Sequence, residues 1–253
     1  MNKKIIAVAT GVALFLVGCS SNSAANNSTN SSANTANKES LPSVSTLLKK
    51  ADAKQDKQEN VHIVMKTNIV TEDPNEAVST IDADFSKDPN EAKGNVDVLY
   101  TGKTTSFEMY LTDTKMYAIS NQKWIDATEF APSYGINMMS MRAQVDCTKI
   151  NDPALLKSGK VTKKGGTYIL KMVAKGEDAE NIMSKGSTKM GSDIPGFETN
   201  KLTYIMVVDK KTYLPKKMTM MVDARYQGEK YDQKIETKFS QWNNSIVLEP
   251  DLG

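Results

Sequence analysis

From Glu229 to Ser240 the sequence alternates without a break, with Tyr231, Gln233, Ile235, Thr237 and Phe239 on one side and Lys230, Asp232, Lys234, Glu236 and Lys238 on the other. Successive side chains of a strand point to opposite faces, so this period of two predicts a sheet with one face packed and one in water. The same reading places strands at 61–70, 78–86, 94–101, 104–112, 115–120, 167–175, 201–209 and 214–226. In the first of these Val61, Ile63, Met65, Thr67 and Ile69 oppose His62, Lys66 and Asn68. The links are hairpin-sized, which implies antiparallel pairing. The string Asp73-Pro74-Asn75-Glu76-Ala77 recurs as Asp88-Pro89-Asn90-Glu91-Ala92 and reads as two similar turns around one strand. Ahead of the strands, Leu41, Val44, Leu47, Leu48 and Ala51 fall at helical spacing with Pro42 in the first turn. Alternation lapses between Ala127 and Lys157, where Met138, Met139, Met141, Val145 and Leu155 predict short helices or irregular cover, and a further helix is expected from Glu177 to Met190. The expected architecture is α+β: one domain over 41–253, a large curved antiparallel sheet with helices packed on its apolar, concave face.

The chain before this domain is of another kind. Lys3 and Lys4 precede an uncharged stretch from Ile5 to Gly18, and Cys19 follows directly. A membrane-spanning helix needs about 20 apolar residues; this stretch is shorter, contains Thr10 and Gly11, and gives way to polar Ser20, Ser21 and Asn22. It is expected to be an export signal (1–18), removed before Cys19. Leu16-Val17-Gly18-Cys19 resembles the lipobox of bacterial lipoproteins, in which small residues fit the peptidase and the thiol takes a diacylglyceryl group before cleavage. Two acyl chains give stable anchoring where one is marginal. Residues 19–40 are then the lipidated cysteine and a tether almost entirely of Ser, Asn, Ala and Thr, apart from Lys38 and Glu39, with no apolar side chain larger than alanine. A flexible coil of that length reaches about 25 Å. The expected location is the outer face of the cell membrane, with the membrane itself as a partner through Cys19.

Composition narrows the chemistry. Without Lys3 and Lys4 the chain carries 30 basic and 30 acidic residues, so nucleic acid is an improbable partner. Arg142 and Arg225 are the only arginines, which leaves few planar forks for phosphate or carboxylate, and the lysine bias suggests a low-GC Gram-positive source. With Cys19 acylated, Cys147 has no disulfide partner and reads as a structural thiol. The single histidine, His62, sits on the polar side of its strand and reads as an ordinary surface side chain. Gly-x-Ser-x-Gly, His-Glu-x-x-His and paired cysteine ligands are missing from the sequence. Asp82, Asp84 and Ser86 begin like a calcium loop, but Lys87 and Lys93 stand where the turn glycine and closing glutamate belong. No enzyme activity, metal or cofactor is expected, and the chain is expected to be a monomer.

Tyr117-Ala118-Ile119 followed by Lys123-Trp124-Ile125, and the turn Val208-Asp209-Lys210-Lys211-Thr212-Tyr213-Leu214-Pro215, resemble corresponding segments of the LolA-like superfamily of lipoprotein carriers and related lipoproteins. The resemblance spans about residues 41 to 248. It implies a half-open barrel of antiparallel strands closed by helices, whose concave side accepts acyl chains or other lipids. Methionine suits such a lining because its thioether adapts to irregular apolar shapes. The expected lining is Met65, Phe107, Met109, Leu111, Met206, Met218 and Met220, with a lipid or other amphipathic molecule as ligand. The other reading is a filled core whose surface binds another envelope protein; a continuous apolar cavity favours the first, a packed interior the second.

Overall fold

The computed structural model describes residues 40–72, 77–120, 122–129, 138–189 and 196–244. The signal segment, Cys19, the tether and most of the first Asp-Pro-Asn turn lie outside the described residues. The chain enters the domain through helix α1 (Val44–Gln55), whose N-terminus is capped by Ser43: its Oγ accepts from the Thr46 N–H at 3.1 Å. Leu47, Leu48, Ala51 and Gln55 are its buried side; the first three and half-buried Val44 lie on the expected stripe, whereas Leu41 and Pro42 precede the helix, Leu41 is exposed, and the polar Gln55 was not expected there.

Six strands follow as a meander: β1 (Asn60–Thr71), β2 (Ala77–Lys87), β3 (Asn90–Tyr100), β4 (Lys103–Thr112), β5 (Met116–Ser120) and β6 (Lys123–Asp126). Two short helices, α2 (Met138–Val145) and α3 (Pro153–Ser158), occupy the region where alternation fails. Strands β7 (Lys160–Lys164) and β8 (Thr167–Lys175), helix α4 (Glu177–Lys189), and strands β9 (Phe197–Asp209), β10 (Pro215–Tyr226) and β11 (Glu229–Ser240) complete the order. All pairings are antiparallel. The result is one sheet of 11 strands, β6-β5-β4-β3-β2-β1-β11-β10-β9-β8-β7, with the first and last long strands, β1 and β11, joined at its centre.

Strand β3 begins earlier than the expected residue 94 and runs through Gly94. A Cβ there would lie 2.1 Å from the Asp82 carbonyl oxygen and 2.4 Å from Cα of Ala83. The glycine is an interior strand position where another backbone approaches too closely for a side chain. Strand β7 has no signature in the sequence, because only Val161 of its residues is half-buried while Lys160, Thr162, Lys163 and Lys164 are exposed. That is a charged edge strand.

Register aligns the inner face into rows. One runs Phe107, Val96, Ile81, Met65, Thr237, Met218, Met206, Leu170, Val161 across nine strands, each residue directly opposite the next. The helices cover this face, contributing Leu47, Met141, Leu155, Ile182 and Met183 to the same core. The expected α+β architecture is the one observed.

The turn between β9 and β10 is fixed by Asp209, whose carboxylate accepts from the N–H groups of Lys211 (2.8 Å) and Thr212 (2.9 Å) and pairs with Lys216 at 2.8 Å. The Lys216 ammonium first, then the Thr212 N–H, hold its pKa well below the usual carboxylate range. The folded state therefore binds fewer protons than the unfolded one, so this contribution to stability is complete at neutral pH and is lost as pH falls through the acidic range below about 4. Asp209→Asn is expected to lower stability at neutral pH and to flatten the dependence of the urea midpoint on pH between about 2 and 4. An unchanged acid profile would show that the turn does not depend on the charge.

Candidate functional site

The seven predicted lining residues all face the space between sheet and helices. Met65, Met109, Leu111, Met206, Met218 and Met220 are buried, and Phe107 is half-buried against the same core. Met65, Phe107, Met206 and Met218 share the nine-strand row; Met109 lies opposite Gly94, Leu111 opposite Ala92, and Met220 opposite Ile235 and Tyr204. Met116, Met172 and Met183, which the sequence pattern did not single out, join them, and with Met141 of α2 nine methionines among the described residues are buried in this core. The interface between sheet and cover is thus built largely from side chains with many rotamers and a polarizable sulfur.

Around Met218 and Met220 the packing leaves a cavity of about 20 Å³, bordered by Gln144, Cys147, Ile150 and Tyr204. This is space for about one water molecule. The Tyr204 hydroxyl donates to the Cys147 carbonyl at 2.7 Å. Burial, then the nearby Asp146 carboxylate, pushes the Cys147 thiol far up, so it stays protonated and unreactive at neutral pH. The expectation of a structural thiol fits this environment.

The cover is pinned by polar side chains. The Gln55 amide donates to the Val145 carbonyl, Thr148 Oγ1 donates to Gln55 Oε1 at 2.9 Å, and Thr237 Oγ1 donates to Gln144 Oε1 at 3.0 Å. Gln55, Gln144, Thr148 and Thr237 are all buried. Together they tie α2 and the residues after it to α1 and to the central strand β11. Gln55→Leu keeps the volume but leaves the Val145 carbonyl and the Thr148 hydroxyl without this partner. It is expected to cost about 1–3 kcal/mol in urea unfolding; an unchanged midpoint would mean that the cover does not rely on this clip.

On the outer face His62 is more engaged than a free surface side chain. Its Nδ1 lies 2.9 Å from Asp84 Oδ1 and its Nε2 3.3 Å from Asp82 Oδ1. With a carboxylate at each ring nitrogen, neither is free to act on a nucleophile. The acidic strand face noted in the sequence is therefore bridged by the histidine beside it. Among the described residues no group of three or more His, Cys, Asp or Glu is placed to hold a metal, and no helix is long and apolar enough to cross a membrane.

An open antiparallel sheet with helices on one face, entered through a single N-terminal helix, is an α+β fold. Within it, the chain belongs to DUF6612, a family of unknown function, whose model matches residues 43–247. No curated protein matches the chain in sequence. Among solved structures it is similar in fold to LprF from Mycobacterium bovis, at 14% identity and a TM-score of 0.50, covering 83% of this chain and 97% of that one. Matches of lower TM-score include the LolA superfamily protein NE2245 from Nitrosomonas europaea (0.30, 8% identity, 83% of this chain and 96% of that one). Another is a beta-barrel-like protein of DUF1849 from Brucella abortus (0.21, 11% identity, 73% and 98%).

Proposed function

We propose that this chain is a membrane-anchored extracytoplasmic lipoprotein that holds a lipid or another amphipathic molecule between its sheet and its helices. The anchor part of the reading is supported by the lipobox-like run ending at Cys19 and by the polar tether after it. The binding part rests on one observation above the others, the methionine-rich row spanning nine strands under a helical cover. Burial of an acyl chain contributes about 0.8 kcal/mol per methylene, so even a short chain outweighs a few hydrogen bonds of about 1 kcal/mol each. The conformation described is packed around Met218 and Met220. Ligand entry therefore requires the cover to part from the sheet, exchanging methionine contacts for acyl contacts and releasing the Gln55 and Thr237 clips.

A hydrophobic fluorescent probe and a competing fatty acid or phospholipid test this on residues 20–253, which lack the apolar signal segment. Saturable probe binding that lipid displaces is the expected result. No probe binding under conditions where the fold is intact would sink it. The second reading, an interaction module with a filled core, is favoured by the packed cavity of about 20 Å³; it predicts no displacement and retention of a protein partner.

A further inference from the structure

The domain begins beside one edge of its sheet. A Cβ placed on Gly159, the residue before β7, would lie 2.7 Å from Cγ2 of Val44, the first residue of α1. The 21-residue segment that leads back to Cys19 therefore joins the fold next to strand β7, and Leu41 at that junction is 48% exposed. The outer face at this same edge is cationic. Lys160 and Lys164 on β7, Lys171 and Lys175 on β8, and Lys201 on β9 are exposed, and none forms an ion pair among the described residues.

Their arrangement costs stability. Lys160 stands directly opposite Lys171, and Lys175 directly opposite Lys201, and like charges facing each other across a strand pair are destabilising. Lys201 also faces Asp223 on β10, whose carboxylate accepts from the Asn200 amide at 3.2 Å and closes no ion pair among the described residues, while Asp209 pairs with Lys216 and Glu236 with Lys217. Between the lysines, half-buried Ile169 and Ile205 leave apolar surface partly open. Across the sheet, the outer side of β2 to β4 carries Asp82, Asp84, Asp97 and Glu108, with Lys93 among them paired to Glu108 at 3.9 Å. The charge is thus one-sided, and its positive side lies where the tether attaches.

We propose that the outer face of β7–β9 docks on the anionic phospholipid headgroups of the membrane that holds the acylated Cys19. The inference rests on the anchor reading for which membrane is met, and on charge and position for which face meets it. Headgroup phosphates neutralise the facing lysine pairs, and each lysine brought to an anionic surface strengthens contact several-fold. Acylation of Cys19 alone does not set which face of the domain meets the membrane; this patch does.

The test uses the native lipidated chain on vesicles of phosphatidylcholine alone or of phosphatidylcholine and phosphatidylglycerol in equal amounts. A water-soluble amine-acetylating reagent then reports lysine access by peptide mass spectrometry. On the anionic vesicles Lys160, Lys164 and Lys171 are expected to react about threefold more slowly or less, with protection removed by high salt, while Lys103 and Lys123 toward the opposite edge are unchanged. Equal rates on both vesicles, or protection shared by both edges, overturn the proposal. K160E/K171E is expected to abolish the protection of Lys164 and Lys175, and K160Q/K171Q makes the same comparison should the first variant fold poorly. Failure of the anchor reads out separately: a chain without acyl groups washes off pure phosphatidylcholine, yet its retention on anionic vesicles still reports docking.

Discussion

Gly94→Ala is expected to destabilise the domain by about 3 kcal/mol. The added methyl would overlap the Asp82 carbonyl oxygen at 2.1 Å and both Cα and Cβ of Ala83 at 2.4 and 2.5 Å. Two of these atoms are backbone and the third is fixed to it, so no rotamer change relieves the clash. The better strand propensity of alanine offsets well under 1 kcal/mol of this. Gly102→Ala is the control: its φ is +74° but nothing lies within 4 Å, so its cost is conformational, about 1 kcal/mol. Urea unfolding of the pair separates the two causes. If Gly94→Ala unfolds no more easily than Gly102→Ala, then β2 and β3 do not approach as closely as described.

Cys19→Ala is expected to abolish lipidation completely. Thioether formation needs the sulfur, and no other side chain between Lys4 and Lys38 can replace it as a thiol. If removal of the signal depends on prior acylation, the variant accumulates with residues 1–18 attached and without a diacylglyceryl mass. Intact-protein mass spectrometry of membrane fractions reads both changes at once. A variant whose mass shows the same trimming and the same lipid as the native chain would contradict the anchor.

The long strands were legible because burial on one face imposes a period of two, as Tyr231 to Phe239 on β11 show. Helix α1 was legible for the corresponding reason, its Leu47, Leu48 and Ala51 stripe. Strand β7 was not, since an edge strand with one core contact has no pattern to display. The early part of β3 was hidden by Gly94, which reads as a strand boundary when the cause is a neighbouring backbone. For the site, the inward direction of Met65 followed from alternation, while Met206, Met218 and Met220 were expected there from the methionine excess in the late strands and the lining that the resemblance implies. The clips made by Gln55, Gln144, Thr148 and Thr237 did not, because polar residues at buried positions are recognised only when their partners, some 90 residues away in sequence, are brought beside them. The cationic face was likewise invisible in a balanced composition: Lys160 and Lys171, or Lys175 and Lys201, become neighbours only through register.

Native mass spectrometry of residues 20–253, produced without the signal segment and purified from cells without detergent, addresses the binding claim most directly. A population carrying one additional lipid-sized mass, lost on organic extraction while the protein stays intact, is the predicted result. A single species at the bare protein mass, unchanged after incubation with phospholipid and fatty acid, would contradict it.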